Sequence, residues 1–235
     1  MTLPIYLAMT AAEMHTCASL PTHCAYMACH FSPYGTGLTD LPEALPADSI
    51  LIINDRIPVS KHDPGQILEQ LQDLLERISI SGILLDLQRK DNRQTEAIVC
   101  ALTENISLPV CVCESYACSP QSPVFVTVPA PHIPLTEHLG HRKDRQIWLD
   151  VAPTAYRYRV DRSGCTQEEI PVTIEPLPFQ DNQLHCHYRI QTTPDSVLFT
   201  LQRTKEDLLA LLDEARDLGV TKAMGLYQEW QDLFP

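Results

Sequence analysis

Short apolar runs recur along the chain, each bounded by Gly, Pro or polar residues. They fall at 5–9, 25–31, 49–54, 82–88, 109–114, 123–128, 146–151 and 222–228. Most are apolar on both faces and end in a polar residue. A parallel strand reads this way when helices cover one face and a core fills the other. Helical periodicity lies between several of the runs. Asp63-Pro64 opens a helix as N-cap and first residue, and Ile67, Leu68, Leu71, Leu74, Leu75 and Ile78 follow at helical spacing. A second helix, 95–102, places Ile98, Val99 and Leu102 on one face. Thr204-x-x-Asp207 resembles a capping box, leads into Leu208, Leu209, Leu211, Leu212 and Ala215, and Gly219 supplies a stop.

One stretch breaks this alternation. Residues 155–202 predict antiparallel strands: Tyr156-x-Tyr158-x-Val160, a turn at Arg162-Ser163-Gly164, a return over 170–174, and a second hairpin from 185–190 to 197–202. The stretch is too small for an independent core, so it reads as an insertion within a single domain spanning 1–235. Alternating strands and helices give an α/β protein. Eight parallel-type strands, with a β-hairpin insertion between the seventh and eighth, predict a compact (β/α)8 TIM-type barrel. An open doubly wound sheet is the alternative, since it needs fewer strands and no closure.

Composition narrows the function. The chain has 235 residues, 44% of them hydrophobic, so a sizeable core is available. With 30 Asp and Glu against 17 Lys and Arg, the formal net charge is -13, which argues against nucleic acid or an anionic membrane as partner. No apolar run is long enough to span a bilayer. Residues 1–20 lack a positive start and carry Glu13 and His15, so they read as mature sequence, and a cytoplasmic chain with reduced thiols is expected. The nine cysteines are odd in number and lack a C-x-x-C pair, which fits neither a disulfide framework nor a zinc ribbon. Cys111 and Cys113 read as buried strand residues. Neither a P-loop nor a G-x-G-x-x-G is present, and no cofactor is expected.

In a barrel, chemistry gathers at the C-terminal ends of the strands. Those ends carry Asn54-Asp55-Arg56, Asp86-Leu87-Gln88-Arg89, Glu114, Asp150 and Tyr227-Gln228-Glu229. Side chains alternate along a strand, so an inward Asp86 puts Gln88 inward as well, with Leu85 and Leu87 facing the helices. A structural ion pair between Asp86 and Arg56 or Arg89 is the plainer alternative. Tyr34, in a loop after the second strand, could lie over the barrel mouth, with a plain surface loop as the alternative. His185-Cys186-His187 offers two imidazoles without a third ligand at diagnostic spacing, so no metal is expected. His138, His141, Arg142, Lys143 and Arg145 form a small basic cluster with no Gly-rich cradle beside it.

The segment 81–88, Ser-Gly-Ile-Leu-Leu-Asp-Leu-Gln, resembles the fourth-strand signature of the family 18 glycoside hydrolases, D-G-x-D-x-D-x-E. Gly82 and Asp86 match; Ser81 and Leu84 replace the first two acids, and Gln88 stands at the position of the proton-donating Glu. The helix before 219 and the strand carrying Tyr227 resemble the family's last helix and strand, where a Trp usually closes the substrate site. The insertion matches in place. The third-strand S-x-G-G and the sixth-strand Tyr-Asp pair are absent; Ile52-Ile53-Asn54-Asp55 and Thr127-Val128-Pro129 stand there.

The resemblance implies a carbohydrate-type cleft holding an oligosaccharide or another small polar ligand. Asp86 and Gln88 would lie at its catalytic position, and Tyr34, Asn54, Asp55, Arg56, Arg89, Tyr227 and Glu229 around it. A side-chain amide cannot deliver a proton near neutral pH, so binding or vestigial activity is expected. One alternative is an active glycoside hydrolase pairing Asp86 with Glu114, Asp150 or Glu229. The other is a non-enzymatic interaction protein that works through 155–202.

Overall fold

The computed structural model describes residues 3–57, 61–89, 93–142, 144–173 and 177–231. In chain order its elements are β1 (Ile5–Met9), α1 (Ala11–Thr16), β2 (Cys24–Tyr26), β3 (His30–Phe31), β4 (Leu38–Thr39) and β5 (Ser49–Asn54). Next come α2 (Pro64–Arg77), β6 (Ile80–Asp86), α3 (Arg93–Asn105), β7 (Val110–Cys113), β8 (Val124–Thr127), α4 (Leu135–Leu139) and β9 (Ile147–Asp150). An antiparallel set follows: β10 (Thr154–Asp161), β11 (Gly164–Ile170), β12 (Phe179–Asp181), β13 (Cys186–Thr192) and β14 (Ser196–Arg203). The chain then forms α5 (Lys205–Asp217), β15 (Val220–Leu226) and α6 (Tyr227–Trp230). Among the described residues, no helix is long and apolar enough to cross a membrane.

The chain divides into two compact units. The first comprises Pro4–Val126, Asp144–Leu149 and Thr221–Pro235. In the sheet, β1, β2, β5, β6, β7, β8, β9 and β15 follow one another; β2 pairs with β5 and β15 with β1, so the ring closes. This is the expected (β/α)8 barrel, and closure settles the choice against an open sheet.

Period-2 alternation sorts the side chains into two cores. Tyr6, Ala8, Ala25, Ile50, Ile52, Leu84, Cys111, Trp148 and Met224 fill the barrel. Leu51, Ile53, Ile83, Leu85 and Leu87 point outward onto Ile67, Leu71 and Leu74 of α2 and Ile98, Val99 and Leu102 of α3. Both helices form where the periodicity places them, each longer or shorter by a few end residues. Asp63 caps α2 by accepting the Gly65 N–H at 3.1 Å.

Trp148 is wholly buried, and its indole occupies the space a side chain at Gly82 would need: a Cβ there would lie 2.7 Å from the ring and 3.0 Å from the Pro109 carbonyl. Below it, Lys222 Nζ donates to Ser81 Oγ (2.8 Å), Tyr6 Oη (3.2 Å) and the Ser81 carbonyl (3.3 Å). The same ammonium sits 4.8 Å from the Tyr6 ring centre and 5.1 Å from that of Trp148.

The second unit comprises Met1–Leu3, Thr127–Lys143 and Asp150–Val220. Its sheet runs β11-β10-β14-β13-β12. Register aligns Tyr156, Leu201, Tyr188 and Phe179 in one row, and Tyr158, Phe199 and Ile190 in the next. Cross-strand neighbours share a face, so one side of this sheet is apolar and aromatic. Arg203, fully buried, donates to the carbonyls of Leu184 (2.9 Å from Nη2), Ile133 (3.4 Å) and Pro129.

Several boundaries differ from the sequence reading. The 25–31 run splits into β2 and β3, because residues 27–29 leave the ladder. The return strand is Gly164–Ile170 rather than 170–174; it is an exposed edge strand without an apolar face, so no periodicity marked it. Residue 174 lies outside the described residues. The last strand begins at Val220, directly after Gly219 at φ 91, and gives way at Tyr227 to a helix.

Candidate functional site

The C-terminal ends of β5 and β6 form one polar corner. Register sets His30 beside Asn54 and Asn54 beside Asp86, so three polar residues cross β3, β5 and β6 in a row. Asp86 is half-buried and Gln88 exposed. The Gln88 amide donates from Nε2 to Asp86 Oδ1 at 2.7 Å, so the two side chains form a pair. Among the described residues Asp86 makes no ion pair; the Arg89 guanidinium turns instead to the carbonyls of Asp55 and Arg56, both at 3.0 Å.

Asp55 is buried, and both of its oxygens are occupied by backbone. Oδ1 accepts the Gln88 N–H at 3.0 Å, and Oδ2 accepts the Arg89 N–H at 2.7 Å. Asn54 donates its amide to the carbonyls of Cys29 (3.1 Å) and Met27 (3.4 Å) and accepts the Arg56 N–H at 3.1 Å. Tyr116 adds a hydrogen bond to the Arg89 carbonyl. The strand ends are therefore fastened by side chain to backbone, and Asp86 with Gln88 stands on that fixed base. Burial raises the Cys113 thiol pKa, with the Asp86 and Asp55 charges adding to it.

The remaining candidates lie on separate elements. Tyr34 is 86% exposed in the loop between β3 and β4, its N–H donating to Ser32 Oγ at 3.2 Å. Glu114 is exposed and opens a 3₁₀ turn just past β7 rather than ending the strand. Tyr227 begins α6 with its hydroxyl 3.5 Å from Cys17 Sγ, and Glu229 lies on the same helix. Asp150 ends β9 in the second unit, where it accepts from Thr127 Oγ1 at 3.4 Å.

His185 and His187 do not pair as ligands. The first bonds Glu214 at 2.9 Å and the second Asp207 at 3.0 Å, both carboxylates on α5. His185 sits in a turn at φ 46, outside the strand. In the basic cluster, His138 bonds the Thr127 carbonyl at 3.1 Å and Arg142 donates to the His138 carbonyl.

Sequence reasoning missed Asp40, which stands 3.5 Å from His30 Nδ1 across the β3–β4 ladder. A two-residue ladder has too few positions to show a period.

This corner can present a carboxylate acceptor and an amide beside it, and it holds no acid at the position of Gln88. No family model matches the sequence, and no curated protein matches it. Solved structures do match the fold. The spore cortex-lytic enzyme SleL of Bacillus cereus superposes with a TM-score of 0.53 at 9% identity, over 97% of this chain and 73% of its own. SleL of Bacillus megaterium QM B1551 gives 0.53 at 9%, over 98% and 73%. A chitinase from Chromobacterium violaceum gives 0.53 at 12%, over 95% of this chain and 93% of its own. The chain thus shares the barrel fold of these structures.

Proposed function

We propose that the chain binds N-acetylated oligosaccharides at the C-terminal rim of its barrel, as a glycoside-hydrolase-type protein whose proton donor has been replaced by Gln88. The observation that carries this reading is the Asp86–Gln88 pair. An ionised carboxylate steadied by a neighbouring amide accepts hydrogen bonds from a sugar hydroxyl or acetamido N–H. An amide donates hydrogen bonds but does not release a proton, so glycosidic cleavage by a strand-four acid is closed to this site. The shared fold with a chitinase and two cortex-lytic enzymes supports the choice of N-acetylated sugars over other polar ligands.

Calorimetric titration of the full chain with chito-oligosaccharides tests this. Binding heat is expected for the native chain, and Asp86→Ala is expected to weaken binding at least tenfold, about 1.4 kcal/mol. Absence of heat with every N-acetylated sugar, or equal affinity in the variant, overturns the reading.

A further inference from the structure

We propose that Cys100 and Cys118 form a reversible disulfide that fastens α3 to the segment between β7 and β8. Cys100 is half-buried on α3, and Cys118 is exposed two residues beyond the 3₁₀ turn Glu114–Tyr116. Cys118 Sγ lies 3.5 Å from Thr103 Oγ1. Thr103 is three residues on from Cys100, so the two share a helix face and Cys118 sits over both. Thr103 Oγ1 also donates to the Cys100 carbonyl at 3.2 Å, so Cys118 Sγ lies against the turn of α3 that carries Cys100. The two thiols therefore share one helix face, from which a short approach would reach the ~2.05 Å S–S bond.

The other thiols are placed differently. Cys24, Cys29, Cys111 and Cys186 are buried. Cys17 lies against the Tyr227 hydroxyl, Cys113 against the Leu87 carbonyl at 3.5 Å, and Cys165 is exposed on β11 of the second unit.

The neighbouring Cys118, burial and the Glu104 and Glu96 charges push the Cys100 thiol up to about 11. Cys118 is the more exposed of the two sulfurs and reacts first. It attacks one sulfur of a low-molecular-weight disulfide such as oxidised glutathione, forming a mixed disulfide and releasing one thiol. Cys100 gives its proton to solvent, attacks Cys118 Sγ and displaces the second thiol. Two protein thiols are oxidised and one small disulfide is reduced to two thiols.

The site adjoins a cavity of about 270 Å³ lined by Thr103 of α3 and by Ser119 and Gln121 of the loop. The bond would tie its helix side to its loop side.

The full chain, incubated with oxidised glutathione at about pH 8, alkylated and digested without reduction, is expected to yield a peptide cross-linked through Cys100 and Cys118. Dithiothreitol should reverse the link. The oxidised chain should unfold roughly 5 °C higher than the reduced one. Cys100→Ser should trap Cys118 as a glutathione adduct, whereas Cys118→Ser should leave Cys100 reduced. If native Cys118 accumulates only as the adduct, or both thiols alkylate fully after oxidation, the proposal fails.

Discussion

Asp55 Oδ2 receives the backbone N–H of Arg89 at 2.7 Å, and its other oxygen receives that of Gln88 at 3.0 Å. One buried carboxylate at the end of β5 thereby shapes the chain leaving β6. Both bonds involve a charged acceptor, and losing it would strand two donors. Asp55→Ala is expected to destabilise the fold by about 2–4 kcal/mol, read from urea unfolding. Asp86→Ala, in a more exposed position, should cost much less stability while removing the acceptor proposed to meet a ligand. Comparing the two separates the base of the corner from its working group.

Gly82 faces Trp148 inside the barrel with no room for a methyl group. Both the ring and the Pro109 carbonyl would have to give. Gly82→Ala should therefore cost about 1–3 kcal/mol, with a blue- or red-shifted Trp fluorescence spectrum as the indole moves.

Much of this architecture is legible in the sequence, and the exceptions have physical causes. Runs such as 49–54 and the α2 pattern are written in apolar spacing, because burial on two faces leaves no other choice of residue. Thr204 and Asp207 form the reciprocal cap that their spacing announces. By contrast, β11 is an edge strand in water, and its polar residues look like a loop. The last run reads as a strand through residue 228 with Glu229 at its end, yet the chain coils at Tyr227 into α6. At the site, alternation alone places Asp86 with Gln88. The task of Asp55 is not legible: a strand-end carboxylate reads the same whether it meets a ligand or the backbone of a neighbouring loop.

Glu13 gives a pH-dependent test. Burial raises its pKa, but hydrogen bonds from the Thr10 backbone, the Thr10 hydroxyl and the Gln228 amide outweigh it, so the net shift is below the ordinary 4.5. A carboxyl with a lowered folded-state pKa stabilises the fold above its unfolded value and loses that contribution as pH falls through the folded one. The stability gap between the native chain and Glu13→Gln should be full at neutral pH and vanish below both values. A gap unchanged across an acid titration of unfolding would refute this.

Arg203 makes the same point in the second unit. Its planar fork holds three carbonyls on two segments, the β8–α4 loop and the turn before β13, from separate nitrogens, a span that a lysine's single nitrogen does not match. Arg203→Lys is expected to cost about 2–4 kcal/mol in thermal or urea unfolding, since buried carbonyls lose their donor.

Gln88→Glu would place a second carboxyl against Asp86. Two carboxyls in contact cannot both ionise easily, so one proton should be retained to higher pH than usual. Hydrolysis of an aryl N-acetyl-glucosaminide is expected to be absent in the native chain, to appear weakly in this variant and to fade as pH rises through that titration. A variant silent at every pH would mean that position 88 is not the site of the missing acid.

The stack of Trp148 on Lys222, with Tyr6 beside it, makes the barrel a vessel with a floor. Among the described residues packed side chains fill its axis, so a ligand of the proposed Asp86 site would arrive and depart through the same rim. A polymer could lie across that opening or send in one end, but it could not be threaded through.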